Sequence, residues 1–172
     1  DMEILVRQNY LNKIEKYLGK DTIIGITGQR RVGKSYTLRM LRDIKSKDES
    51  NNVIYVDKEK KCFDHIKTYQ DLNAYIDTHY QSGKMHYILV DEIPEILEFE
   101  RTVRSYVTEP DTEVVVTGSN ALDIIRQVYD LSRRCRVYTM HGLSFREYLK
   151  LEGIADLPRY SLADIVTRHL DI

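Results

Sequence analysis

Tryptophan is absent from the 172 residues, and cysteine and proline are scarce, at two and three. Two thiols far apart in sequence, Cys62 and Cys135, cannot build the dense disulfide framework of a small secreted domain. They are expected as reduced thiols. Cys62 and His65 have the spacing of half a zinc site, but no second pair completes the four ligands that a structural zinc takes. Net charge is missing too. The chain carries 26 Lys+Arg against 27 Asp+Glu, a balance of −1, so no broad basic field argues for a nucleic-acid binder. No apolar run approaches the ~20 residues of a membrane helix. The opening Asp1-Met2-Glu3-Ile4-Leu5-Val6-Arg7 lacks the basic-then-apolar order of a secretion signal. A cytoplasmic location is expected. What is present, 42% hydrophobic and 31% charged residues, is the composition of a folded globular domain.

Four short β-rich runs stand out: Thr22–Thr27, Asn52–Asp57, Met85–Asp91 and Glu113–Thr117. Continuous apolar strands of this length require burial on both faces, as in a parallel sheet covered by helices. Between them the period becomes helical. Leu11, Ile14 and Leu18 share a face before the first run, and Leu38, Leu41 and Ile44 share one after it. Leu72, Tyr75, Ile76 and His79 precede the third run, and Ile96, Phe99, Val103 and Tyr106 follow it. The stretch 47–52 reads as a loop. Strands alternating with helices predict an α/β fold built of βαβ units. Residues 1–20 are read as an N-terminal helix leading into a core over 21–142. Residues 143–172 are read as the start of a C-terminal helical region, cut short.

Gly28-Gln29-Arg30-Arg31-Val32-Gly33-Lys34-Ser35 is a complete Gly-x-x-x-x-Gly-Lys-Ser motif between a buried strand and a helix. The glycines let backbone N–H groups turn inward around a phosphate, and the helix N-terminus adds its positive dipole. Lys34 is placed to reach the β- and γ-phosphates, and the Ser35 hydroxyl to ligate Mg²⁺; Tyr36 follows in the same nucleotide-binding stretch. The run Tyr87-Ile88-Leu89-Val90-Asp91-Glu92 supplies the acids. Asp91, at the tip of a buried strand, suits the Mg²⁺ shell, and Glu92 suits the orientation or deprotonation of an attacking water. The next run ends Val116-Thr117-Gly118-Ser119-Asn120-Ala121. Here a polar residue beside the phosphate strand can bond the γ-phosphate or the water, with a helix N-cap as the structural alternative. Asn120 is slightly preferred to Ser119.

Three motifs in this order resemble the AAA+ superfamily, P-loop NTPases with an added catalytic Glu. With Leu143-Ser144-Phe145-Arg146-Glu147-Tyr148-Leu149 they resemble, more narrowly, a family of bacterial and archaeal AAA-type ATPases whose full-length members usually carry a further C-terminal domain. The resemblance implies a three-layer αβα P-loop NTPase fold with a parallel sheet in the strand order 5-1-4-3-2. It also implies ATP as nucleotide, Mg²⁺ as cofactor, and a missing C-terminal domain through which the protein self-associates or meets a partner protein. The family commonly has Gly-Arg where this chain has Arg133-Arg134, and Pro where it has Gly142. By that match Arg134 senses the γ-phosphate, in cis or from a neighbouring subunit, with a solvated basic cluster as the alternative. Arg30, Arg31, Lys58, Lys60 and Lys61 either balance local acids or border a nucleic-acid path.

The leading expectation is an ATP-binding, Mg²⁺-dependent ATPase that couples hydrolysis to conformational change. The runner-up is a nucleotide-gated switch or scaffold with little turnover. A small-molecule kinase fits less well, since no acceptor or lid motif stands out. A GTPase fits less well still, since the chain has no Asn-Lys-x-Asp element for guanine.

Overall fold

Each β-rich run becomes a strand of one parallel sheet. In the computed structural model, residues 11–16, 18–19, 23–28, 33–120 and 124 are described, together with the backbone of 135–139. The strands are β1 (Ile23–Thr27), β2 (Asn51–Asp57), β3 (Met85–Asp91), β4 (Thr112–Gly118) and β5 (Cys135–Thr139), in the order β2-β3-β4-β1-β5. Read from the other edge this is 5-1-4-3-2, and all four pairings are parallel. Among the described residues, α1 (Lys34–Lys45), α2 (Tyr69–His79) and α3 (Phe99–Val107) connect strands. Residues 11–15 are also helical.

Strand alternation divides the core in two. Leu11 and Ile14, with Leu38 and Leu41 of α1, cover Ile24, Ile26, Leu89 and Val115 on one face of the sheet. Leu72 and Ile76 of α2, with Phe99 and Val103 of α3, cover Ile54, Val56, Ile88, Val90, Val114 and Val116 on the other. A fully buried aliphatic side chain contributes roughly 1.5–3 kcal/mol, so both helical layers are needed to cover a sheet apolar on both sides. The α/β, three-layer αβα fold expected of the sequence is the fold observed.

Local departures have physical causes. β5 was not among the expected runs, because Cys135-Arg136-Val137-Tyr138-Thr139 has no continuous apolar stretch; its pairing to β1, Ile23↔Cys135 through Thr27↔Thr139, makes it a strand. β2 begins at Asn51, inside the expected 47–52 loop. Ile96 does not share a helix with Phe99. It is extended, after a 3₁₀ turn at Ile93–Glu95 with Pro94, and the next residue is tied to α2's leader by Leu97 N–H to Lys67 O and Tyr69 N–H to Leu97 O, both at 2.9 Å. Ile44 is 38% exposed at the last turn of α1. α2 starts with a capping box, in which the Thr68 side chain accepts from Asp71 N–H and the Asp71 carboxylate accepts from Thr68 N–H. Lys58 does not face outward; its ammonium donates to Phe63 O and Ile66 O, bracing the loop ahead of α2. Lys60 and Lys61 are exposed, and Arg30 and Arg31 lie outside the described residues.

Candidate active site

α1 begins differently from α2. Its N-cap is Gly33 in the left-handed region (φ 99°), with no side-chain cap and no acidic residue in its first turn. Its leading N–H groups and positive dipole meet no acidic residue of the helix's own first turn, a condition that suits phosphate. Gly28, at the end of β1, also has positive φ (148°). A residue with a Cβ is strained at both positions, which accounts for the two glycines. Gln29, Arg30, Arg31 and Val32 lie outside the described residues, as does Arg134. Ser35 and Tyr36 are half-buried in the first turn of α1.

Lys34 is 4% exposed, and its ammonium has three acceptors for three protons: Gly28 O at 2.6 Å, Glu92 Oε1 at 3.2 Å and Ser119 Oγ at 3.2 Å. Ser119 Oγ in turn donates to Glu92 Oε1 at 2.8 Å. The phosphate-loop lysine, the second acid and the tip of β4 thus converge at one point. Ser119 makes these contacts; Asn120, slightly preferred in the sequence, lies one residue farther on, and both are exposed.

The acids sit at the carboxyl edge of the sheet, and strand alternation alone would send Asp91 and Glu92 to opposite faces. Glu92 adopts a left-handed conformation instead (φ 54°, ψ 50°). That conformation costs on the order of 1–3 kcal/mol for a residue with a Cβ, and it ends the alternation so that Glu92 reaches Lys34. Asp91 is fully buried. Its Oδ1 accepts from the Thr117 hydroxyl at 2.5 Å, while Oδ2 is buried without any hydrogen-bond partner. Burial pushes the Asp91 carboxyl above the ordinary carboxylate range; the Ser35 and Thr117 hydroxyls oppose that, and the charges of Asp57 and Glu92 add to it.

A buried carboxylate oxygen with no donor is costly unless a cation completes it. Asp91, with Oδ2 unpartnered and the Ser35 hydroxyl beside its carboxyl, therefore fits the oxygen-ligand chemistry of Mg²⁺, which takes one or two protein oxygens and fills the rest with water and phosphate. Among the described residues no group of three His, Cys, Asp or Glu side chains forms a metal cage by itself, and Cys62 is an exposed free thiol. Two residues of the site carried no role in the sequence. Asp57 ends β2 in register with Asp91, and Thr117 bridges β4 to β3. Each lies within a β-rich run, where polar residues at strand tips look alike.

No helix among the described residues is long and apolar enough to cross a membrane. The model of a family described as "AAA domain" matches residues 20–149. An uncharacterized protein of Haemophilus influenzae is 30% identical over 155 residues, covering 88% of this chain and 39% of the relative. Another from Methanocaldococcus jannaschii is 28% identical over 146 residues, covering 81% and 30%. The chain thus spans well under half the length of these curated relatives. Among solved structures, Cdc6p of Pyrobaculum aerophilum superposes with a TM-score of 0.60 at 11% identity, covering 90% of this chain and 51% of that one. A DNA polymerase III gamma subunit-related protein of Thermotoga maritima gives 0.54 at 12%, covering 76% and 45%. At such identities the likeness is one of fold. The family match spans most of the chain, and with the phosphate loop and the sheet order it shows that the protein belongs to the AAA domain family of P-loop ATPases.

Proposed function

We propose that this chain binds ATP with Mg²⁺ at the Gly28–Ser35 loop and hydrolyses it to ADP and phosphate, with hydrolysis coupled to a conformational change. The observation that carries the reading is the meeting of Lys34, Glu92 and Ser119 beside a buried Asp91 whose Oδ2 has no partner. The loop backbone and the start of α1 hold the phosphates. Lys34 exchanges one of its three acceptors for a γ-phosphate oxygen. The Ser35 hydroxyl and Asp91 would hold Mg²⁺, which would supply charge neutralisation at the phosphates. Freed from Lys34, the Glu92 carboxylate orients a water and takes its proton as the water oxygen bonds to the γ-phosphorus and the bond to the bridging oxygen breaks. Ser119 keeps Glu92 aimed. Asn120 remains a second polar group at the tip of β4, and Arg134 a candidate for completing the γ-phosphate contacts. ADP leaves, and the wider partners are self-association or a partner protein engaged by a C-terminal region.

The Lys34–Glu92 ion pair also favours a second reading. A glutamate held by the phosphate-loop lysine suits a switch that binds ATP or ADP tightly and turns over slowly. Two substitutions separate the readings. Lys34→Ala is expected to weaken ATP affinity by ~10-fold or more, since a charge-assisted contact contributes roughly 1.5–3 kcal/mol. Glu92→Gln is expected to keep ATP affinity while single-turnover hydrolysis falls ~10²-fold or more. Equal calorimetric affinity for wild type and Lys34→Ala overturns binding at this loop. Unchanged hydrolysis in Glu92→Gln removes Glu92 from the chemistry and leaves the switch.

A further inference from the structure

Resting on the proposed ATPase, the geometry points to Thr117 as a positioning residue that assigns the two adjacent acids their separate tasks. Its hydroxyl is fully buried and makes two bonds at once: it donates to Asp91 Oδ1 at 2.5 Å and accepts from Glu92 N–H at 2.9 Å. A hydroxyl has one proton, and here it goes to Asp91. Oδ1 is therefore occupied, and Oδ2, with no donor, is the oxygen left for a cation. The accepted bond acts on the other acid. It pins the backbone of Glu92 in the left-handed conformation that turns its carboxylate toward Lys34 and Ser119. One side chain on β4 thus prevents both acids from competing for the metal and prevents Glu92 from continuing the strand.

The hydroxyl, not the methyl, does this, so Thr117→Val deletes the function at nearly constant volume and Thr117→Ser keeps it. In Thr117→Val, Asp91 Oδ1 loses its Thr117 donor and Glu92 N–H loses its acceptor. The intact protein and both variants are compared in ATP affinity measured in EDTA, in the Mg²⁺ concentration giving half-maximal hydrolysis, and in kcat. Thr117→Val is expected to leave metal-free ATP affinity within about twofold, to raise the Mg²⁺ midpoint, and to lower kcat by ~10–100-fold, the range seen when outer hydrogen bonds to metal ligands are removed. Thr117→Ser is expected to restore both. A purely structural role would shift metal-free affinity and melting temperature together and leave the Mg²⁺ midpoint alone. If Thr117→Val does not fold, Thr117→Ala takes its place, since its smaller side chain admits a water beside Asp91. An unchanged Mg²⁺ midpoint and kcat in a folded variant overturns the role of Thr117 while leaving the ATPase standing. Wild-type protein that binds no ATP overturns the ATPase reading and this inference with it.

Discussion

Burial at Asp91 works against the charge that the proposed Mg²⁺ role requires, and this sets a measurable linkage between that role and stability. The carboxyl sits above the ordinary carboxylate range, first because it is desolvated. A folded-state pKa raised in this way means that the native protein holds the proton more tightly than the unfolded chain does. The stabilisation from Asp91 is then fully present at acid pH and is lost as pH rises through the ordinary value toward the raised one. Above that window, without metal, the desolvated carboxyl is a burden. Asp91→Asn is expected to melt above wild type in EDTA at neutral pH, with the gap closing as pH falls below the carboxylate range. A lower melting temperature for the variant at neutral pH would refute this. The same substitution is expected to remove the Mg²⁺ dependence of ATP binding. Lys34, Ser35 and the flanking glycines were legible in the sequence, because their chemistry lies within eight consecutive residues. Ser119 and Asn120 look alike in the sequence, because which of them meets Lys34 depends on how the chain leaves β4.

Between residue and fold, the tips of β3 and β4 behave as one unit. Glu92, Ile93 and Pro94 turn sharply out of β3, and Gly118 ends β4 directly against that turn. A Cβ on Gly118 would lie 3.0 Å from Ile124 Cδ1 and 3.1 Å from Pro94 Cγ. Gly118 is thus required for close approach rather than for a special backbone angle. Gly118→Ala forces the proline ring to shift, and overpacking of this kind costs roughly 1–3 kcal/mol. Pro94 is two residues from Glu92 and on a different element from the phosphate loop. The variant is therefore expected to lose turnover more than ATP affinity, along with several degrees in melting temperature. Calorimetric ATP affinity, steady-state hydrolysis and a thermal melt check this; a loss of affinity as large as the loss of turnover would count against it. None of this packing was legible from Gly118 itself, which in the sequence is one of eight glycines. The helical link from Ile96 was misread for a related reason: its apolar spacing fits a helix, while Pro94 and the backbone pairing of Leu97 hold it extended.

At the scale of the whole molecule, the site as described takes its polar groups from β1, α1, β3 and β4, and no arginine among the described residues donates to Glu92 or Asp91. The relatives extend well beyond the matched region: the chain covers 39% and 30% of the two compared. An arginine that completes a phosphoryl-transfer site accelerates it by roughly 10³–10⁵. The 172-residue chain is expected to bind nucleotide while hydrolysing slowly, and a longer chain that includes the C-terminal region to hydrolyse faster. If Arg134 is the completing group, Arg134→Ala abolishes that gain with ATP affinity nearly unchanged. Steady-state hydrolysis by both lengths across a range of protein concentrations tests it. Activity in the short chain that is independent of concentration and not exceeded by the long one would show that nothing further is needed.

The sequence by itself determined the α/β class, four of the five strands, the phosphate loop and the two adjacent acids. Each of these is written in neighbouring residues: a buried strand in an apolar run, a phosphate cradle in two glycines, a lysine and a serine. The tertiary structure decided what is long-range. β4 lies between β3 and β1, and only that placement brings Thr117 to Asp91 and Ser119 to Lys34. β5 is a strand because β1 offers it an edge. Glu92 is left-handed because Thr117 holds its N–H. Parallel neighbours are joined through distant crossovers, so no spacing along the chain records which strand tips meet; the sheet order does.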